Sequence, residues 1–503
     1  MSVAEAKGSG LQFLSLSREA DIPRRKRVFV NRNLKMDEIE LVGFDMDYTL
    51  AIYHQEQMEA LSIQLTLQKL VENRAYSPRI LELAYPSEWA VRGLMVDKQH
   101  GHIFKMDQYG HVGRVVHGER NLSREQRGEL YRQTRVKPTQ PRYAWVDTLF
   151  ALPEVVMYRR LIEFFEHEEP RRKLDFGKLW EDVRACIDEA HRDDSLKSVV
   201  KADLSRFVAY DPELAPTLHK LRSAGKRLFV LTNSLWDYTD AVMRHLLDNK
   251  LPAYPSWRHY FDIVIVGGTK PAFFTDKNPF VEIDPQTGKT LGSPRGDLLR
   301  GHVYMGGNLP DFEEKAGSHG DRVLYVGDHI YGDILRAKKS SVWRTAMIVQ
   351  ELEHELEVSA RLAPDLSRLD ELDRRRRNLD AECDYQNLVL KSLQRLEEEG
   401  GELPEGSSFP SLTVAKKATK EALDRLRVAL RQCEAELDRL EDDVDHAYNL
   451  DWGPIFKEGN ELSRFGEQLE TYACLYTSRV SNFLAYSPLR YFRAPRDKLP
   501  HEL

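Results

Sequence analysis

Cysteine is scarce in this chain. There are four in 503 residues, Cys186, Cys383, Cys433 and Cys474, and no two form a C-x-x-C pair. That excludes a disulfide framework and the usual zinc-ligand spacing, and it points to a reducing compartment. Long apolar runs are missing too. No stretch reaches the roughly 18 apolar residues that a spanning helix needs, and the opening MSVAEAKGSGLQFLSLSREADIPRRKRVFV lacks the apolar centre of a signal peptide. A cytoplasmic protein without a membrane partner is expected. Positive charge is not in excess: the net charge is −7, with 30% of residues charged, which leaves no electrostatic footprint for nucleic acid. Internal repeats are absent. The length exceeds one ordinary core and calls for roughly two to four domains or sub-domains.

What is present begins with short apolar runs: Ile39–Phe44, Arg227–Leu231, Phe261–Val266, Arg322–Val326 and Trp343–Val349. Runs this short and continuous suit strands covered on both faces, as in a parallel sheet. Helical patterns such as Ala215–Ala224 and Asp237–Asp248 lie between them. The alternation predicts an α/β fold with a doubly wound, mainly parallel sheet, whose functional groups gather at the carboxyl ends of the strands. Residues 45–226 are far longer than a crossover requires and are expected to hold an inserted α+β cap. Its β-like segments are Ala90–Val96, Gly101–Asp107 and Gly110–Val116, and its helical patterns include Glu154–Glu166 and Lys178–His191. Further on, Leu423, Leu426, Leu430, Cys433, Leu437, Leu440 and Val444 recur in alternating steps of three and four, a coiled-coil seam. Leu372, Leu379, Cys383, Leu390 and Leu393 keep much the same register, interrupted at Arg376 and Gln386. With GGELPEGSSFPS between them, they predict an antiparallel helical hairpin over about 365–447. The expected divisions are an N-terminal segment with the first core strand (1–50), the cap (51–215), the rest of the core (216–360), the hairpin (361–450) and an aromatic C-terminal segment packing on the core (451–503).

The chemistry sits at the strand ends. Asp45 and Asp47 follow the first run, two residues apart, so both carboxylates can face one phosphate and share a divalent cation. Asp is a competent nucleophile towards phosphorus, and a second Asp can serve as acid and then base. Thr232, Asn233 and Ser234 close the second run, where hydroxyls and amides before a helix suit phosphate; Asn233 or Ser234 would equally serve as an ordinary helix cap. Lys270 follows the third run and can neutralise a transferring phosphoryl group. Asp328 and Asp333 follow the fourth and would complete an oxygen-ligand shell for Mg²⁺, although either alone would more often cap a helix.

The order D-x-D-x-T, T-N-S, Lys, G-D-x-x-x-x-D resembles the four motifs of the haloacid-dehalogenase-like phosphatases. FVNRNLKMDEIELVGFDMDYTLAIY, the segment Thr148–Glu154, FDIVIVGGTKPAFF, GHVYMGGN, GDHIYGDILRAKKS and the C-terminal YACLY and FLAYSPLRYFRAPRDKLPHE together look like the cytosolic purine 5'-nucleotidase family, from about residue 28 onward. The resemblance implies a purine nucleoside 5'-monophosphate as substrate, of the inosine or guanosine type. It implies Asp45 as nucleophile and Asp47 as acid/base. Thr232, Asn233, Ser234 and Lys270 would hold the phosphate. Mg²⁺ would be held by Asp45, Asp328, Asp333 and Asp47, the last through its main chain. In the cap it implies that Phe150 stacks on the base, that Arg184 and Asp188 bond its edge, and that His191 and Lys197 line the pocket. The chemistry agrees: an aromatic face suits a planar base, Arg donates to O6 and N7, and Asp accepts from N1–H. Positions 184, 188 and 191 share one helix face, where 184 and 188 would otherwise read as a plain surface ion pair.

An effector site for nucleotides is also implied, at Tyr331, Lys339 and Gln468. Here Tyr331 stands where Phe is usual, Asp147 where Asn is usual and Thr471 where Arg is usual. The last change removes a bidentate phosphate donor, which puts activation by ATP in question. A homo-oligomer, dimer or tetramer, is implied as well. Two other readings stand beside hydrolysis. A nucleoside acceptor intercepting the same intermediate would make the enzyme a phosphotransferase, which added inosine would reveal. A vestigial core with a partner-binding hairpin would make the protein a scaffold, which would release no phosphate.

Overall fold

The computed structural model describes residues 21–132, 136–169, 173–335, 341–499 and 502. Its centre is a ten-stranded sheet. Five strands form its middle: β1 (Leu41–Phe44), β2 (Arg227–Leu231), β3 (Ile263–Val266), β4 (Val323–Gly327) and β5 (Arg344–Ile348). The sheet runs Phe29–Val30, Leu475–Thr477, β5, β4, β1, β2, β3, Val303–Gly306, Phe280–Ile283, Thr290–Gly292. Neighbours from Leu475–Thr477 to Val303–Gly306 are parallel, and the remaining edge pairings are antiparallel. The sheet is therefore mixed and mainly parallel. β1 and β3 are buried at every position, as their unbroken apolar sequences require.

After β1 the chain builds outward through β2 and β3, then returns to the other side of β1 with β4 and β5. The strand order thus reverses beside β1, and at such a point the carboxyl ends of neighbouring strands open a crevice. Asp45, Thr232, Lys270 and Asp328 all follow those ends.

β1 fits tightly against β2. A Cβ on Gly43 would stand 2.0 Å from the Phe229 ring, inside a buried cluster with Leu231, Ile265, Phe312, Tyr325 and Trp343. Overpacking of this kind costs about 1–3 kcal/mol. Gly43→Ala should lower the unfolding free energy by at least that much in a urea titration; an unchanged midpoint would contradict the packing.

Four helices support the site: α1 (Gln55–Arg74), α2 (Leu152–Glu168), α3 (Phe176–Arg192) and α4 (Trp236–Leu247). α1 packs against α2 and α3. Beside them lies a second, five-stranded antiparallel sheet in the order Arg120–Asn121, Val112–His117, His102–Met106, Leu94–Asp97, Tyr143–Val146. α3 starts at an Asp175 cap that accepts from the Lys178 amide, and it buries Leu179, Trp180, Val183, Cys186, Ile187 and Ala190 along one stripe.

The chain divides into two compact units, Met1–Glu353 with Ile455–Leu503, and His354–Pro454. The second holds α5 (Ala363–Glu398) and α6 (Leu412–Tyr448), which pack through Leu372, Cys433 and Leu437 with Leu369, Leu379 and Leu440 alongside. Arg376, one of the two interruptions in the apolar register, pairs with Asp373 at 2.7 Å on its own helix. In the first unit the aromatic C-terminal segment contributes the strand Leu475–Thr477, and the Tyr486 hydroxyl accepts from the Val28 amide at 2.9 Å. Among the described residues no helix is long and apolar enough to cross a membrane.

Candidate active site

A cavity of about 280 Å³ opens at the carboxyl ends of β1, β2, β3 and β4. It is lined by Asp45, Asp47, Asn233, Ser234, Lys270, Asp328, His329 and Asp333 from the core, and by Phe150, Glu154, Arg184, Asp188, His191 and Lys197 from the insertion.

Three carboxylates, Asp45, Asp328 and Asp333, are buried with one oxygen each within 4.8 Å of the others. Lys270 stands among them, its Nζ 2.9 Å from Asp45 Oδ1 and 2.6 Å from Asp333 Oδ1, and it donates to the Tyr325 hydroxyl at 2.9 Å. Burial opposes the charge on Lys270, but Asp333 and Asp45 win and raise its pKa well above the usual lysine range. Burial also raises Asp45 well above an ordinary carboxyl, with Lys270 opposing it. Asp328 is pushed up to about 7 by burial and by Asp333. Oδ2 of Asp328 is buried without a hydrogen-bond partner. One lysine among three close carboxylates, an orphaned oxygen and an all-oxygen donor set fit a hard divalent cation.

The Asp47 carboxylate is engaged elsewhere. Its Oδ2 accepts from Ser234 Oγ at 2.8 Å and its Oδ1 from the Tyr53 hydroxyl at 2.5 Å. It stands outside the three-carboxylate cluster, so the side chain of Asp47 is held as a separate group at the same strand end. Ser234 is not a helix cap, contrary to one sequence reading: α4 begins after Leu235, without a side-chain capping bond. Asn233 is not a cap either. Its amide donates to the Lys270 carbonyl at 3.0 Å and accepts from the Lys270 amide, which pins the lysine backbone. Thr232 is fully buried and does not line the cavity; its hydroxyl accepts from the Ser234 amide at 3.1 Å. Asp333 lies within the helical turn Ile330–Leu335, and its Oδ2 accepts from the His329 amide at 3.3 Å.

On the insertion side, Phe150 packs edge-on to Tyr48 and His191, with ring centres 4.7 and 5.5 Å apart. Arg184 and Asp188 are both half exposed and 3.6 Å apart. Burial lowers the His191 pKa, with Lys197 adding to it. Tyr331 is 40% exposed and does not line the cavity. Gln468 lies on the helix Arg464–Tyr472, and its Oε1 is buried without a partner. Lys339 lies outside the described residues.

Four participants were given no role by the sequence reading, although Tyr53 and Glu154 lie in segments that carry the family resemblance. Glu154, in α2, is buried and receives Arg184 at 2.9 Å; burial raises it to about 7, with Arg184 opposing. Arg92 is fully buried. It donates to the Asp328 carbonyl at 2.7 Å and grips Glu351 with two nitrogens at 2.7 and 2.6 Å. Tyr53 and Tyr325 supply hydroxyls. His329 lies 3.1 Å from Asp147, an ion pair rather than an aligned hydrogen bond. Burial opposes its charge, but Asp147 prevails and raises the imidazole to about 9. Two of the four had a readable signal: Tyr53 closes the apolar stretch that follows Asp45 and Asp47, and Glu154 closes the segment Thr148–Glu154.

A 5'-nucleotidase domain-containing protein of Dictyostelium discoideum is 28% identical over 488 residues, 94% of this chain and 74% of its own length. The human 5'-nucleotidase domain-containing protein 2 is 30% identical over 347 residues, 66% of this chain and 64% of that protein, so the match spans less than two thirds of the human relative. Among solved structures, CbbY from Rhodobacter sphaeroides in complex with phosphate aligns over 62% of this chain and 86% of that one at 16% identity, with a TM-score of 0.23, too slight a likeness to bear on the site. Residues 28–503 match the 5' nucleotidase family, to which the chain therefore belongs as a phosphoric monoester hydrolase.

Proposed function

We propose that the protein is a Mg²⁺-dependent 5'-nucleotidase that hydrolyses purine nucleoside 5'-monophosphates through an acyl phosphate on Asp45. The observation that carries this reading is the cavity itself. The same space is lined by a carboxylate pair with a lysine and by an aromatic ring, an arginine and an acid suited to a purine.

In the first step an Asp45 oxygen attacks the phosphorus as the bond to O5' breaks, and Asp47 passes its proton to the departing O5'. In the second, Asp47 takes a proton from water as that water attacks the phosphorus and frees Asp45. Lys270 offsets charge on the phosphoryl oxygens, and the Ser234 hydroxyl and nearby backbone amides stand beside them. Mg²⁺, held by Asp45, Asp328 and the Asp47 carbonyl with support from Asp333, would supply the positive charge that keeps these close carboxylates ionised. Phe150 offers its face to the base, Arg184 donates to acceptors on the purine edge, and Asp188 accepts from N1–H.

Two measurements test the reading. Phosphate release should be fastest for inosine and guanosine 5'-monophosphates, with pyrimidine nucleotides slower, and should need Mg²⁺. Enzyme quenched during turnover and reduced with borohydride should carry homoserine at position 45. An unmodified Asp45, or equal rates on all bases, would remove the intermediate or the purine preference respectively.

A further inference from the structure

Asp47 has to hold a proton before the first step and give it up during that step, yet both of its oxygens accept hydrogen bonds. Ser234 Oγ approaches Oδ2 at 2.8 Å and the Tyr53 hydroxyl approaches Oδ1 at 2.5 Å. Donors aimed at a carboxylate fix the direction in which its oxygens face. The two donors differ in freedom. A serine hydroxyl rotates about its Cβ–Oγ bond and can turn aside. A phenol hydroxyl lies in the plane of its ring, and this ring is 3% exposed. Tyr53 is fixed further by a bridge from its backbone to Val208, by an edge contact with Tyr48 at 5.0 Å, and by Tyr238, whose hydroxyl is 3.0 Å from its own. With Tyr53 donating to Asp47, Tyr238 donates to Tyr53, and one chain of O–H groups runs Tyr238 to Tyr53 to Asp47. Tyr53 also faces Phe150, with ring centres 6.4 Å apart.

We propose that Tyr53 is a positioning residue for proton transfer: its hydroxyl, backed by Tyr238, holds Oδ1 of Asp47 and so aims the carboxylate at the leaving oxygen that receives its proton. Tyr53 neither gains nor loses a proton in this scheme. Burial, and then the Asp47 charge, push its own pKa well above the usual phenol range, so it remains a donor throughout. The proton that reaches O5' comes from Asp47, and the proton that returns to Asp47 comes from water.

The inference rests on Asp47 being the acid/base, and the test separates the two claims. Tyr53→Phe keeps the ring and removes only the hydroxyl. The full-length variant is assayed with inosine 5'-monophosphate, whose alkoxide must be protonated. It is assayed in parallel with p-nitrophenyl phosphate, whose phenolate leaves unaided, by the burst of phenolate in the first turnover. With the nucleotide, kcat should fall about 10- to 100-fold while KM stays within about threefold. The p-nitrophenyl phosphate burst should slow by less than about threefold. Tyr238→Phe should change the nucleotide rate in the same direction but less. Equal losses on both substrates would overturn the proposal and leave Tyr53 a packing residue. If Asp47→Asn abolishes nucleotide turnover and Tyr53→Phe keeps the full rate, only the role of Tyr53 fails. If Asp47→Asn itself keeps the full rate, the acid/base assignment beneath it fails.

Discussion

Asp45→Asn is expected to lower turnover of inosine 5'-monophosphate by at least about 10⁴-fold, the scale seen when a nucleophile is removed from a covalent mechanism. The substitution is nearly isosteric, so the loss is chemical. An amide oxygen does not displace an alkoxide from phosphorus, and no other carboxylate takes its place. Asp47 is turned towards Tyr53 and Ser234, while Asp333 is bound to Lys270. The fold should survive. Asn Oδ1 can still accept from the Met46 amide, which stands 2.8 Å from Asp45 Oδ1. One negative charge also leaves a buried group of three, so the melting temperature should stay level or rise. Nucleotide binding, measured by calorimetry with Mg²⁺ present, should persist within about tenfold, since the base and the phosphate keep their other partners. A variant that keeps more than about a hundredth of the wild-type rate would rule out Asp45 as the nucleophile.

That Asp45 could be singled out from the sequence follows from where parallel sheets place their polar residues. β1 is four buried apolar positions ending in two carboxylates, and nothing in a covered strand accounts for charge at its end except a cap or a site. The same logic located Lys270 after β3 and Asp328 after β4. The edges of the sheet were much harder to read. Phe29–Val30 and Leu475–Thr477 are two or three residues long and pair across almost the full length of the chain. Strands that short have no periodicity, and only their partners define them.

The supporting residues were hidden for a related reason. Arg92, Glu154, Tyr53 and Tyr325 act through contacts with residues distant in sequence, and their local patterns are those of ordinary helix, strand and loop. Arg92 lies 259 positions from Glu351 and 236 from the Asp328 carbonyl that it holds. A buried arginine among apolar neighbours would be improbable in isolation, because its charge needs a partner that the local sequence does not supply. Conversely, Asn233 and Ser234 were legible as polar residues at a strand end, while their partners were not. Whether such a group meets phosphate, a helix amide or a neighbouring backbone depends on how the loop after β3 folds back. That loop brings the Lys270 backbone onto Asn233, and the Ser234 hydroxyl is left to meet Asp47.

Lys270→Met is expected to damage stability as well as rate, and the stability loss should depend on pH in a direction opposite to ordinary acid denaturation. Lys270 is the cation between two of the three buried carboxylates, 2.6 Å from Asp333 and 2.9 Å from Asp45, while Arg92 stands 4.0 Å from Asp328. Leaving buried charges without their partner costs about 3–5 kcal/mol. Part of that penalty can be avoided by protonation. Asp45 already has its folded pKa raised well above the usual carboxyl value, and Lys270 is the force holding it down. Without the lysine it rises further. An acid whose folded pKa exceeds its unfolded value binds more protons when folded. Its folded state is therefore fully favoured below the unfolded value, near 4, and loses ground as pH climbs towards the folded one. Asp328, raised to about 7, titrates in the same direction. In metal-free buffer the variant should therefore approach wild-type stability near pH 5 and fall behind it by about 3–5 kcal/mol towards pH 8, as read from urea unfolding across that range. Turnover with Mg²⁺ should drop about 10²- to 10³-fold, since the phosphoryl oxygens lose a fixed positive charge in a buried site. A variant whose unfolding curves track the wild type from pH 5 to pH 8 would mean that the three carboxylates do not depend on Lys270, and the charge balance drawn here for the site would be wrong.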